Sequence, residues 1–422
     1  MTPRAPLRAN QIAGLAAAIA AVRPLLQPAD TLLHQFFRQH KAMGQHDRAI
    51  IADGVFAYLR RRRSLEAIAQ TQSPRHLALA VLVRELGVGA RECEAVLPAD
   101  DVLWLRALES RLATPLLPAV AADLPDWLWE RLGTAYGEAE RAALAEAWLC
   151  TAPLDLRVNP LKATRDEARA ALAASGIVAE PTPYSPLGLR IAGRVALARH
   201  PLFSAGAVEV QDEGSQLIGF LVAPKRTDMV VDFCAGAGGK TLLLGALMRA
   251  QGRLYAFDTH ERRLAKLKPR LARSGLINVH PQLLAHERDA KLERLAGKID
   301  RVLVDAPCTG FGTLRRNPDL KWRQPESALA ELAVKQQAIL AAAATLVKPG
   351  GRLVYATCSV LPDENSAVVG AFLAANPAFT RGNAAAELAR AGIDLDTGPA
   401  LQLFPHRHGC DGFYAEVLTR MA

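Results

Sequence analysis

MVVDFCAGAGGKTLLLGALMRAQGRLYAFD, residues 229–258, carries the pattern from which the rest of the chain can be read. The run 229–233 is short and apolar, as a strand buried on both faces must be. Apolar residues at helical spacing over 239–249 then predict a helix, and 253–257 a second strand ending in Asp258. Strand, tight loop, helix and strand make a βαβ unit, which predicts a doubly wound α/β domain with a Rossmann-like parallel sheet.

The loop is Cys234, Ala235, Gly236, Ala237, Gly238, Gly239 and Lys240. Its glycines let the backbone approach a ligand closely and leave N–H groups free at the helix start. Gly239, Lys240 and Thr241 imitate the end of a phosphate-binding P-loop, but that loop needs glycine five positions before Gly239, where Cys234 stands. Nucleoside triphosphate hydrolysis is therefore set aside. Asp258 lies twenty residues after Gly238, where a carboxylate can accept both hydroxyls of an adenosine ribose. NAD and S-adenosylmethionine fit this feature equally.

Moving outward, the pattern predicts a helix at 261–274, a strand at 301–304, a helix at 331–346, a turn at 347–351, a strand from Leu353 and a closing strand at 412–418. Two of these strands end in thiols. One run leads into Asp305, Ala306, Pro307 and Cys308; the other, LVYATCSVLPDEN at 353–365, delivers Cys358. Ligands bind outside the carboxyl ends of such strands, and the fifty residues between the cysteines suffice for one crossover helix, so neighbouring strands can bring both to one pocket. A lone free cysteine is usually buried structure. Two beside a cofactor loop argue for chemistry, and hydride transfer has no use for them, which favours S-adenosylmethionine over NAD.

Methyl transfer to carbon 5 of cytosine needs such a group, because that carbon becomes nucleophilic only after a thiolate adds to carbon 6. A base must afterwards remove the carbon 5 proton. The residues alone leave open which cysteine attacks. Asp305 is placed to hydrogen-bond the ring edge, and Pro307 to stiffen the loop of Cys308. The target base has to leave its stack, which favours single-stranded RNA and predicts positive charge around the pocket mouth; Arg315, Arg316, Lys321 and Arg323 follow the Cys308 loop.

Upstream, residues 1–140 read as helical, with apolar periodicity over 11–26, 31–39, 47–69 and 74–86, and a proline-containing elbow at 113–126. Arg60, Arg61, Arg62 and Arg63 read as a solvated helix end or as a phosphate contact. Residues 141–220 read as a small α+β subdomain, in which Arg157 and Asn159 are expected as strand-edge polar residues. The chain has 422 residues, half of them hydrophobic, and a formal charge of +9, which suits a polyanionic partner. Six scattered cysteines without a CxxC pair argue against disulfides and a metal site. No membrane-length apolar run and no leader at the start lead to the expectation of a cytoplasmic monomer.

Together, DFCAGAGGKT (232–241), DAPCTGFGTLRRNPDLKW (305–322) and YATCSVLPDEN (355–365) resemble the Sun-type RNA cytosine-5 methyltransferases. LRVNPLK (156–162), VQDEGSQ (210–216) and DGFYAEVL (411–418) are similar to that family too, while LLHQFFRQH (32–40) and the stretch 46–68 resemble the NusB-like helical domain. The combination is similar to the branch acting on bacterial 16S ribosomal RNA. The resemblance implies a NusB-like RNA-binding domain at 1–140, an RNA-binding subdomain at 141–220 and a class I, S-adenosylmethionine-dependent methyltransferase domain at 221–422. It implies Cys358 as the nucleophile and Cys308 as the residue assisting release, whereas DNA cytosine methyltransferases attack with the Pro-Cys thiol. It further implies that the backbone from Cys234 to Lys240 holds the cofactor, that Asp258 takes the ribose, and that Asp305 serves both cofactor and cytosine. Where the family usually carries an acidic residue toward adenine, matching by distance lands on His286, flanked by Glu287 and Asp289. The competing readings are an idle RNA-binding ribosome-assembly factor and a cytosine-5 methyltransferase of transfer RNA or DNA.

Overall fold

The computed structural model describes residues 7–193 and 195–422; the first six residues, part of the stretch read as leader-free, lie outside the described residues. Two compact units result: Met1–Thr151 with Leu314–Glu326, and Ala152–Thr313 with Ser327–Ala422.

In the first unit, helices Ala9–Val22, Ala29–Gln39, Gln45–Arg60, Arg62–Ala69, Pro74–Arg84 and Ala99–Arg111 enclose a core that includes Leu15, Ile19, Val55, Tyr58 and Leu79. The single helix expected over 47–69 is two, because Arg61 leaves helical geometry at φ −116° and ψ 22°. Asp123, from a distant loop, then caps the second helix by accepting from the Ser64 N–H at 2.8 Å and the Ser64 hydroxyl at 2.7 Å. Each of the four arginines is engaged by a partner inside the unit. Arg60 donates to the Arg315 carbonyl at 2.9 Å, Arg61 faces Glu85 at 3.5 Å, Arg62 faces Glu66 at 3.3 Å and Arg63 faces Asp126 at 2.7 Å.

The basic run after Cys308 also departs from expectation. Lys321 is buried in the helical unit and donates to the Arg60 carbonyl at 2.9 Å, while the Trp322 indole donates to the Leu59 carbonyl at 2.6 Å. Burial pulls the Lys321 ammonium down to about 7 against the opposing pull of Asp123, with Arg60 and Arg61 adding to the depression. Arg315 is buried as well, and Arg323 pairs with Asp319 at 3.2 Å. The indole and the lysine stem supply apolar surface, and that packing holds charges the sequence suggested were exposed.

The second unit begins with a four-stranded antiparallel sheet, β1 (Leu154–Val158), β2 (Ala179–Pro181), β3 (Gly188–Ile191) and β4 (Val208–Val210), in the order β2-β3-β1-β4. Its helix Arg165–Ala174 starts in a reciprocal cap between Thr164 and Glu167 and buries Ala168 and Leu172 against the sheet core.

The large sheet comprises β5 (Met229–Asp232), β6 (Arg253–Asp258), β7 (Val279–Leu283), β8 (Ile299–Asp305), β9 (Val347–Thr357), β10 (Phe379–Arg381), β11 (Leu401–Leu403) and β12 (Phe413–Arg420). Their order is β10-β12-β9-β8-β5-β6-β7, with β11 also on β12; β5 to β9 run parallel, and β12 antiparallel to β9. This is the expected α/β class with helices on both faces. Two details differ. Strand β9 starts at Val347, inside the expected turn, because Gly350 at φ +71° and a register shift at Ile299/Arg301 let the chain bulge while staying paired. Strand β12 does not close the sheet, since β10 lies beyond it. Chain order reverses between β5 and β8, which opens a crevice at their carboxyl ends.

Candidate active site

That crevice is a cavity of about 480 Å³, lined by the glycine loop, Asp258, Asp305, Cys308 and Cys358 among others. The loop holds itself open. Gly236 and Gly238 adopt φ +55° and +85°, and a Cβ on Gly238 would meet Leu267 Cδ1 at 2.1 Å. Next to Gly236 nothing lies within 4 Å of where a side chain would project, so the cradle is free to receive a group. The Asp258 carboxylate accepts from Gly236 N–H at 2.8 Å and from His260 N–H at 2.7 Å, which fixes it at the loop's edge. Asp232, beneath the loop, is pushed up to about 7 by burial despite a 2.7 Å bond from the Thr241 hydroxyl; its Oδ1 has no partner. The unpaired oxygen, the open cradle and the fixed carboxylate fit an adenosine-type cofactor with a charged tail.

The small sheet supports the loop, which the sequence did not suggest. Arg157 is buried on the inner strand β1, not at an edge, and donates to the Gly239 carbonyl at 2.6 Å and to Gln211 Oε1. Burial pulls its guanidinium down to about 9, which Glu209 opposes and Arg270 reinforces. Arg270 itself donates to the Ala237 carbonyl at 2.7 Å and pairs with Glu209 at 2.9 Å. Asn159 is equally buried and donates to the carbonyls of Gly206 and Ser274, both at 3.0 Å. Arg157 and Arg270 thus hold the loop's Gly239 and Ala237 carbonyls, while the Ala235, Gly236 and Gly238 N–H groups are given to Phe257, Asp258 and Ala235.

At the strand ends, Asp305 finishes β8 opposite Ala356 of β9, and the two thiol loops follow on adjacent parallel strands. The Cys308 and Cys358 sulfurs lie 3.3 Å apart. Lys240 Nζ donates to Asp305 Oδ2 at 2.7 Å. Burial works against the Lys240 charge, but the Asp305 carboxylate more than offsets it and holds the ammonium above its usual value. The hydrogen bond with Cys358, burial and nearby Glu364 push the Cys308 thiol well up. Burial does the same to Cys234, which also lines the cavity.

Of the residues expected here, Cys234, Ala235, Gly236, Ala237, Gly239, Lys240, Asp258, Asp305, Cys308 and Cys358 line the cavity, and Gly238 caps the helix behind it. His286 does not join them. It is exposed and its ring accepts from the Arg288 N–H, whereas Leu284 and Glu287 line the cavity; Asp289 is spent on capping Ala285 and Lys291. Gln211 and Ser215, from the quoted VQDEGSQ stretch, line it too, and so do Lys335 and Ile339, which no motif announced.

The Cys358 turn is pinned by main chain. Its carbonyl accepts from Gly312 N–H at 2.9 Å, and the Gly312 carbonyl accepts from Gly412 N–H at 2.8 Å. A Cβ on Gly312 would stand 1.9 Å from the Gly412 oxygen and 2.8 Å from the Cys358 oxygen, neither of which can rotate aside. Gly312→Ala is expected to destabilise this unit by about 3 kcal/mol. A urea unfolding midpoint equal to wild type would refute that.

Among the described residues no cluster of three His, Cys, Asp or Glu could hold a metal, and no helix is long and apolar enough to cross a membrane. The family described as 16S rRNA methyltransferase RsmB/F matches residues 219–419, and a methyltransferase RsmF/B-like, ferredoxin-like domain matches residues 124–198. A probable ribosomal RNA small subunit methyltransferase B from Synechocystis sp. is 37% identical over 302 residues, 71% of this chain and 67% of that protein. Ribosomal RNA small subunit methyltransferase B from Sodalis glossinidius is 34% identical over 362 residues, 84% of this chain and 79% of that protein. The crystal structure of PH0851 has a TM-score of 0.78 at 25% identity, covering 99% of this chain and all of that one at 100%.

Proposed function

The chain belongs to the 16S rRNA methyltransferase RsmB/F family, and from that membership we propose that it moves a methyl group from S-adenosylmethionine to carbon 5 of a cytidine in RNA, 16S ribosomal RNA foremost, through a covalent Cys358–cytosine adduct. The observation that carries this reading is the pair of sulfurs 3.3 Å apart at adjacent strand ends, in the cavity that also holds the glycine loop and Asp258.

The backbone from Cys234 to Lys240 would hold the cofactor and Asp258 its ribose hydroxyls. When bound, the cofactor supplies an electrophilic methyl group. Everything else falls to the side chains. The Cys358 thiolate adds to carbon 6, forming a carbon–sulfur bond and moving an electron pair toward carbon 5. Asp305, held by Lys240, faces the ring edge where nitrogen 3 takes the proton that the Cys358 thiol gives up, a proton that leaves to solvent when the adduct breaks down. Once carbon 5 is methylated it must lose its proton, and the carbon–sulfur bond breaks with its electron pair returning to Cys358. Cys308 keeps its own proton at neutral pH and touches the departing sulfur, so it can hand that proton across and recover one from carbon 5.

Two measurements test this. Calorimetric titration with S-adenosylmethionine should show binding that Asp258→Ala weakens about 10- to 100-fold, the loss of one or two charge-assisted hydrogen bonds. Methyl incorporation should appear in 16S ribosomal RNA at cytidine and not in transfer RNA or in DNA of the same sequence. A protein that binds ribosomal RNA yet has no affinity for the cofactor would instead be an assembly factor.

A further inference from the structure

Both thiols are followed by a buried hydroxyl residue, Thr309 after Cys308 and Ser359 after Cys358, and one buried carboxylate holds the pair. Glu364 Oε1 accepts from the Thr309 N–H at 2.8 Å and from Gln336 Nε2 at 3.1 Å. Glu364 Oε2 accepts from the Thr309 hydroxyl at 2.6 Å and the Ser359 hydroxyl at 2.5 Å. Gln336 Nε2 also donates to the Pro307 carbonyl at 3.0 Å, so Cys308 is gripped on both sides by the same cluster. The Tyr355 hydroxyl ties the Glu364 carbonyl to β9 at 2.6 Å. A carboxylate with no exposed surface is expensive to keep without several donors, and this one has four.

We infer that Glu364 is the positioning residue that clamps the two thiol loops together and thereby sets the sulfur-to-sulfur approach on which adduct release depends. It touches neither sulfur and acts through Thr309 and Ser359. The consequence for release rests on the two-cysteine reading above; the clamp itself does not. Charge and position can also be separated. In Glu364→Gln the amide oxygen keeps the Thr309 N–H and Gln336 bonds, and the amide N–H groups meet hydroxyls that can turn to accept. Glu364→Ala removes all four side-chain bonds at once.

The test uses phenylarsine oxide, which bridges two thiols only when they are close, titrated into the full-length protein. Wild type should capture it, and Cys308→Ser should not. Glu364→Ala should weaken capture about tenfold or more, while Glu364→Gln stays within about twofold of wild type. Leu172→Ala, a core truncation in the small sheet, serves as a comparator that lowers stability without touching the clamp. Should Glu364→Ala fail to fold, Glu364→Asp replaces it, because a carboxylate one methylene shorter cannot reach both loops and should weaken capture several-fold. Undiminished capture in the alanine or aspartate variant overturns the proposal, as does an equal fall in Leu172→Ala or no capture by wild type. As a catalytic readout, Glu364→Ala should raise the fraction of RNA held in a denaturant-resistant adduct, with Glu364→Gln restoring turnover toward wild type. If Cys358→Ser still methylates RNA, the two-cysteine mechanism fails while the arsenical result continues to judge the clamp.

Discussion

Cys358→Ser is expected to form no detectable 5-methylcytidine, with the rate down by about 10⁴-fold or more, the scale on which removal of a covalent nucleophile is felt. Serine is nearly isosteric, yet its hydroxyl is essentially un-ionised near neutrality and a far poorer nucleophile toward a ring carbon. The turn itself should not move, because its position comes from the Gly312 and Gly412 main chain and not from the sulfur. Cofactor affinity and RNA affinity should therefore stay near wild type, which separates this outcome from misfolding. Mass-spectrometric nucleoside analysis of treated 16S ribosomal RNA is the measurement. Methylation persisting in the variant would hand the attacking role to Cys308 and overturn the mechanism.

The partner substitution should fail differently. Cys308→Ser leaves Cys358 able to add to carbon 6 but removes the thiol that touches its sulfur at 3.3 Å. The hydrogen bond with Cys358, burial and the Glu364 charge keep Cys308 protonated near neutral pH. A serine there is a much weaker acid and, being smaller, sits farther from the leaving sulfur. The expected result is a protein–RNA adduct that survives denaturant and accumulates to a large fraction of the enzyme, with turnover down by about 10²- to 10⁴-fold, the usual weight of a positioned acid or base. A gel-retarded band after boiling in detergent reports it. Normal turnover without an adduct would remove Cys308 from the release step.

The sequence was legible where a single local pattern had only one physical solution. Residues 229–258 fold as read, since strand, glycine loop and helix are each set by neighbours close in sequence. The two thiols could be placed because chain length and the carboxyl-end rule together left few arrangements. Reading failed where tertiary contact overrode local signal. Val347 to Gly351 looks like a turn, yet pairing with β8 draws it into β9 as a bulged strand. Strands β10 and β11 have three residues each, too few to show a period. Arg157 and Asn159 carry the cues of edge polar residues; their partners at Gly239 and Ser274 come from 82 and 115 residues away. The basic segment after Cys308 looks like an exposed RNA contact until Trp322 packs it into the helical core. Glu364 stood in the quoted PDEN motif with one donor, Ser359, five residues before it, but its other three come from Thr309 and Gln336, which nothing linear joins to it.

The two glycine peptides under Cys358 suggest a practical use. Because they set where that residue's Cα sits, the pocket offers the same contour to an incoming strand whether or not a sulfur is present. An inert side chain at that position therefore gives a bait of native outline. Linked by ultraviolet light to bound transcripts, it could chart which stretches of ribosomal RNA visit the pocket, in what order during subunit maturation, and for how long.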